Sequence, residues 1–250
     1  MAWLDAIADI EDLEDAEFDA ALVAELERRA AGTISRPIRF STPTFKEYAT
    51  SELKGCGKNS FPAFSITAGA CGLNCDHCQK KILEPMIPAT HPDMLDQKVR
   101  RLIDTEGLNG FLLSGGSNKR NEIPYGRYLP VVEKLKADFP DLKVAIHSAL
   151  LDQPRARAME SAGVDTVMMD VIGADDTIRE GYQLDRPVND FEETLAALCT
   201  TSMDVTPHLV IGRHYGRLLG EQTALDIVSR YSVTALVLVV IMPVYARPGT

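Results

Sequence analysis

Residues 64–78 read Phe64-Ser-Ile-Thr-Ala-Gly-Ala-Cys71-Gly-Leu-Asn-Cys75-Asp-His-Cys78. The stretch opens with a short run that contains aromatic and β-branched residues, which suits a strand. Three small residues, Ala68, Gly69 and Ala70, follow and let the chain turn. A C-x3-C-x2-C run then places three thiols within eight positions. The order strand, turn, ligands puts the cysteines on a loop at the strand's C-terminal end. In parallel α/β barrels that end carries the chemistry.

Outward from this loop the chain alternates apolar runs with amphipathic stretches. Strands are expected over 64–67, 110–113, 144–147, 166–170, 206–211 and 235–242. Helical patterns lie between them near 91–105, 128–139, 154–162, 190–198 and 221–231. Gly107, Pro140 and Gly163 stand where helices should stop. Repeated β-then-α order implies a parallel sheet with right-handed crossovers. Six such units without a reversal point to a (βα)6 partial barrel of the TIM type over 59–250. Residues 1–58 are expected to form an acidic helical N-terminal extension and lead-in, with an amphipathic helical region over about 4–31 carrying Leu13, Phe18, Leu22 and Leu26. The apolar run near 235–240 suits a buried strand. Because no helix pattern follows it before Thr250, a truncated C-terminus is expected, or else a natural partner that lies elsewhere.

The 250 residues are 45% hydrophobic and 25% charged, enough for one large core. The formal charge is −10, from 36 acidic and 26 basic residues, which argues against a nucleic-acid partner. The acidic N-terminus lacks the basic start of a secretory signal, and no apolar run reaches membrane-spanning length. A cytoplasmic protein without a membrane partner is expected.

Five cysteines are present: Cys56, Cys71, Cys75, Cys78 and Cys199. An odd number with three crowded together reads as metal ligation in a reducing compartment rather than a disulfide framework. Two donor sets stay open on spacing alone. Three thiolates can hold a [4Fe–4S] cube while leaving one iron without a protein ligand. The other reading is a structural zinc site of three cysteines with His77 or His91. His77 otherwise reads as a packing residue. Cys56, flanked by Gly55 and Gly57, is a candidate ligand of a second, auxiliary cluster. Cys199 reads as an ordinary thiol.

The C-x3-C-x2-C spacing, with His77 before the last cysteine and a βα-repeat around it, resembles the radical S-adenosylmethionine (SAM) superfamily. The resemblance covers about residues 60–250. It implies a [4Fe–4S] cluster on Cys71, Cys75 and Cys78, with SAM chelating the open iron and yielding a 5′-deoxyadenosyl radical on reduction. Gly115, Gly116 and Ser117, after the second strand, resemble the segment that contacts the SAM amino group, with Ser117 at the usual acidic position. His147 and Asp170, at the ends of the third and fourth strands, are expected to touch SAM or substrate. Ile211 and Gly212 resemble the fifth-strand segment along the adenine. His208, inside a strand, reads as a core histidine. The polar stretch 117–122 and the pair Lys80 and Lys81 read as solvated surface or as anion contacts.

The runs beginning at Asn59, Cys78, Ser114 and Met169 are similar to the biotin-synthase-related branch, and within it to the two-protein lipoyl synthases. That similarity implies sulfur insertion into an octanoyl chain on a carrier protein. It also implies a reductant such as ferredoxin or flavodoxin and a second radical SAM subunit. Other chemistry of the superfamily, methylation or rearrangement in cofactor assembly, and a non-catalytic iron–sulfur or zinc protein are the rival expectations.

Overall fold

The computed structural model describes residues 61–241 and 245–247, together with Ala24 and Arg28. The chain divides into two compact units, Met1–Lys54 and Gly55–Thr250. In the first, Ala24 and Arg28 are helical and exposed. The rest of the expected N-terminal helical region, and Cys56, lie outside the described residues.

The second unit is built on one parallel sheet. Its strands are β1 (Ala63–Ser65), β2 (Ile87–Pro88), β3 (Gly110–Ser114), β4 (Lys143–Ser148), β5 (Thr166–Asp170), β6 (Asp204–Ile211) and β7 (Val237–Val240). They lie in the order β2-β1-β3-β4-β5-β6-β7, every pair parallel. β2 and β7 are the two edges, so the sheet is an open, partial barrel. All six expected strands are present. β2 is an addition, a two-residue edge beside β1.

The helices are α1 (Pro92–Glu106), α2 (Leu129–Asp138), α3 (Gln153–Ser161), α4 (Asp175–Gly181), α5 (Val188–Cys199) and α6 (Glu221–Ser229). α1 shows why they form where they do. Proline opens its first turn, Asp93 follows there, and Leu95, Val99 and Leu102 recur on one buried stripe. Gly107 closes it at φ +65°, a left-handed value that glycine adopts without Cβ strain, with its N–H returned to Ile103.

Strand parity decides what each residue sees. On β4 to β6, Val144, Ile146, Val167, Met169, Val205 and Leu209 are buried in the main core. Register puts them on one face: Val144 is beside Phe111, Val167 beside Ile146, and Val205 beside Val167. Phe64 and Phe111 pack edge to face on the same side, with ring centroids 5.6 Å apart. Burying a side chain of this kind contributes about 2–3 kcal/mol. The alternate residues, among them His147, Met168, Asp170, Thr206, His208 and Val210, are only partly buried. They line the opposite, concave face, the lumen.

β7 departs from the buried strand that its composition suggests. Val237, Leu238, Val239 and Val240 are all exposed, Val240 by 71%. The reason is position: among the described residues β7 is an edge strand paired only with β6.

Candidate iron–sulfur site at the barrel mouth

The loop after β1 carries Cys71, Cys75 and Cys78, and it is fastened to the loop after β3. The Gly72 N–H donates to the Ser117 carbonyl at 2.6 Å, and the Cys71 thiol points at that same oxygen at 3.7 Å. The Gly116 N–H donates to Thr67 Oγ1 at 2.6 Å. A Cβ on Gly116 would stand 2.0 Å from the Ala70 carbonyl oxygen and 2.6 Å from Cys71 Cβ. One on Gly115 would stand 2.9 Å from Ile66 Cγ1. The expected glycine segment therefore seats the cysteine loop, and that contact is a reason for glycine in the fold itself.

Cys75 is buried and its thiol points at the Tyr182 carbonyl at 3.8 Å. Cys75, His77 and Cys78 offer ligand atoms that all lie within 4.8 Å of one another, and Cys71 is not a member of that group. The hydrogen bond between Cys75 and Cys78, with burial, holds the Cys75 proton on. The same hydrogen bond pulls Cys78 toward thiolate against the cost of burial, aided by His77. A thiolate is the form that binds metal.

Around the cysteines lies a shell that the sequence did not announce. Asp76 accepts from Gln183 Nε2 at 3.0 Å and from the Tyr215 hydroxyl at 3.0 Å, and Arg247 Nε lies 3.1 Å from it. Gln79 donates to the Tyr245 carbonyl at 2.9 Å. Gln79 and Lys80 take left-handed backbone, at φ +46° and +69°, to turn the chain out of the loop.

Arg213 joins this loop to the lumen. Its Nη1 donates to His77 Nε2 at 2.5 Å, and its Nη2 donates to Asp170 Oδ2 at 3.2 Å. It also stacks over the Tyr182 ring, 4.9 Å from the centroid. The other ring nitrogen, Nδ1, lies toward the cysteine loop side of this contact. That Nδ1 is buried and has no partner. Burial works against the Asp170 charge, but Arg213, the foremost of its charged neighbours, outweighs it and keeps the carboxyl below its ordinary range.

The other expected residues fall in three places. His147 and Asp170 face the lumen at the strand ends and lie 3.8 Å apart, Nε2 to Oδ1. His208 joins them, its ring centroid 5.4 Å from that of His147. It is a lumen residue and not the core histidine expected, and burial pushes it down to about 4. Gly212 ends β6 at φ +78°, its N–H donated to Glu221 at 2.9 Å. The Ile211 side chain packs against the main core, on the face away from the lumen. Asn118, Arg120 and Glu122 bind one another, and Glu122 also takes Arg155. Lys80 and Lys81 are exposed. His91 stands at the N-terminal boundary of α1 without a side-chain capping hydrogen bond and is exposed. Cys199 ends α5 against the core, and its burial pushes the thiol up.

The donor set fits an iron–sulfur cube better than a single ion. A tetrahedral zinc with bonds of about 2.3 Å to sulfur draws its ligands to within roughly 4 Å of one another. Cys71 stands outside the group that would meet that demand, whereas a cube distributes three thiolates over three irons.

No protein-family model and no curated protein matches the sequence. Solved structures match by fold. A methylornithine synthase, PylB, superposes with a TM-score of 0.54 at 12% identity, over 75% of this chain and 56% of that one. SuiB of Streptococcus suis, bound to S-adenosylmethionine, gives 0.54 at 12% identity over 98% and 51%. TsrM of Kitasatospora setae, a radical S-adenosylmethionine methyltransferase, gives 0.51 at 13% identity over 73% and 36%. This chain thus spans from about a third to just over half the length of these proteins. At such identities the likeness is one of architecture, and this chain has the partial-barrel fold found in radical SAM enzymes.

Proposed function

We propose that the chain is a radical SAM enzyme whose [4Fe–4S] cluster is held by Cys71, Cys75 and Cys78. One observation carries the reading. Three thiols sit on a single loop at the C-terminal mouth of a partial barrel, with a polar lumen beneath them. When bound, the cluster supplies the electron that cleaves SAM to methionine and a 5′-deoxyadenosyl radical. The chain's own residues do the rest. Gly115, Gly116 and Ser117 present backbone beside Cys71, where the amino acid part of SAM would lie. The β6 end at Ile211 and Gly212 offers main chain to the adenine. His147 and Asp170 face the substrate side. Arg213 keeps a positive charge between His77 and the lumen, and Tyr182 sets its carbonyl against Cys75 and its ring against His77 and Arg213.

Within this class we propose sulfur insertion into an octanoyl chain on a carrier protein. Support comes from the short runs beginning at Asn59, Cys78, Ser114 and Met169, which resemble those of the two-protein lipoyl synthases. A second radical SAM subunit and a small reductant of the ferredoxin or flavodoxin type belong to that proposal. So does an auxiliary cluster with Cys56 among its ligands, and a reducing, cytoplasmic setting. No helix among the described residues is long and apolar enough to cross a membrane.

Zinc at Cys75, His77 and Cys78 is the second reading, favoured by their mutual proximity. Anaerobic reconstitution separates the two. The enzyme should take up about four irons and four sulfides per cluster and release 5′-deoxyadenosine when reduced with SAM. Uptake of one zinc with no iron would defeat the enzyme reading.

A further inference from the structure

The lumen holds a second set of ligand-type side chains, apart from the cysteine loop. His147, Asp170 and His208 come from the ends of three adjacent strands, β4, β5 and β6. Register pairs Asp170 with His208, and His147 with Met168 two residues before Asp170, so all three project from the same face. Their ligand atoms all lie within 4.8 Å of one another. The carboxylate is already oriented. Arg213 takes its Oδ2 at 3.2 Å, and the Tyr182 hydroxyl approaches that atom at 3.4 Å. Oδ1 is thereby turned to His147 Nε2, 3.8 Å away. The backbone under His147 is held too, because the buried Tyr125 hydroxyl donates to its carbonyl at 2.7 Å. Asp170 is the carboxylate paired with His147, and both its charge and that of Arg213 act on His208.

We propose that His147, Asp170 and His208 bind a divalent transition-metal ion, of the zinc or ferrous-iron class, in the barrel lumen. Two imidazoles and one carboxylate on one side of an ion are the donor set that such metals take when further positions stay open. Magnesium and calcium would require mostly oxygen ligands. Bonds of about 2.0–2.2 Å place tetrahedral ligands roughly 3.4 Å apart. The His147–Asp170 pair, at 3.8 Å, needs only a small inward rotation to reach that spacing. The open positions face the lumen, where the ion acts as a Lewis acid toward a carboxylate or carbonyl oxygen of a substrate. The assignment stands independently of what the cysteines hold.

The test uses the full chain with its cysteine site first filled by anaerobic iron and sulfide reconstitution and loosely bound iron then removed on a chelating resin. Zinc uptake is measured by equilibrium dialysis, and the zinc X-ray absorption edge gives its neighbours. One zinc per chain is expected, with nitrogen and oxygen ligands at about 2.0–2.1 Å. Affinity should fall at least tenfold in His147→Gln and again in His208→Gln, with thermal unfolding checked for each. A sulfur neighbour near about 2.3 Å, no zinc retained by the wild type, or unchanged uptake in the double histidine variant would overturn the site. Because the absorption spectrum is taken on the wild-type chain, a variant that fails to fold leaves the test intact.

Discussion

Arg213 Nη2 lies 3.2 Å from Asp170 Oδ2, and both side chains are shielded, with exposures of 11% and 27%. This pair is the hinge between the cysteine loop and the lumen, since the other arm of the guanidinium reaches His77. Breaking a buried pair from one side leaves the other charge uncompensated, at a cost of about 3–5 kcal/mol when burial is complete. With partial exposure, Arg213→Gln should destabilise the fold by about 2–3 kcal/mol in chemical denaturation. Adding Asp170→Asn should return part of that loss. A double variant as unstable as the sum of the two singles would show that the residues do not couple.

Replacing any one of Cys71, Cys75 and Cys78 by serine should abolish both cluster assembly and SAM cleavage, because each thiolate holds its own iron. Iron content, with 5′-deoxyadenosine measured by chromatography, reads both effects. Full cleavage by any single variant would remove that residue from the ligand set. Cys199→Ser should leave iron content unchanged, since Cys199 ends α5 away from the loop.

Gly116→Ala should disturb the cysteine loop before it disturbs the barrel. The added Cβ meets the Ala70 carbonyl oxygen and the Cys71 side chain, both far inside van der Waals contact. Reconstituted iron should fall severalfold while the far-ultraviolet spectrum stays native. Gly126→Ala is the control, because nothing lies within 4 Å of its new Cβ. Its stability should stay within about 0.5 kcal/mol of wild type. Equal iron in the two variants would refute the packing account of Gly116.

Glu160 supplies a pH signature. The Ser202 N–H and hydroxyl donate to its Oε1 at 2.6 and 2.8 Å, and Arg157 donates to Oε2 at 2.8 Å. The Ser202 backbone bond, then Arg157, then the Ser202 hydroxyl lower its pKa from the ordinary 4.5 to about 2. The folded state thus releases this proton more readily than the unfolded state does. The stabilisation is fully present above pH 4.5 and is lost as pH falls toward 2. NMR titration of the Glu160 carboxyl should give a midpoint well below 4.5, and Glu160→Gln should flatten the acid limb of stability. A midpoint at the ordinary value would dismiss the interaction.

Val240→Lys tests the β7 edge. Val240 is 71% exposed, so the charge should change stability by no more than about 0.5 kcal/mol while reducing self-association in light scattering, as edge lysines do. A large loss of stability would mean that Val240 is covered in solution.

Sequence patterning reached the barrel because each apolar run is long enough to show its period and is followed by a helical stretch with a stop such as Gly107. It missed β2 because Ile87–Pro88 is two residues long and has no period. It missed α4 because Asp175–Gly181 is short and mostly polar. The cysteine loop was legible because its ligands are neighbours in the chain. His208 and Arg213 were not, because their meaning arises across strands. The signal that could have found His208 is parity: Thr206, His208 and Val210 alternate with the core residues Val205 and Leu209. Nothing local marks Arg213, whose partners His77 and Asp170 lie 136 and 43 residues away.

Among the described residues β2 and β7 do not pair with each other, so the curvature of the sheet rests on the packing of helices against its outer face and not on a continuous ring of strand hydrogen bonds.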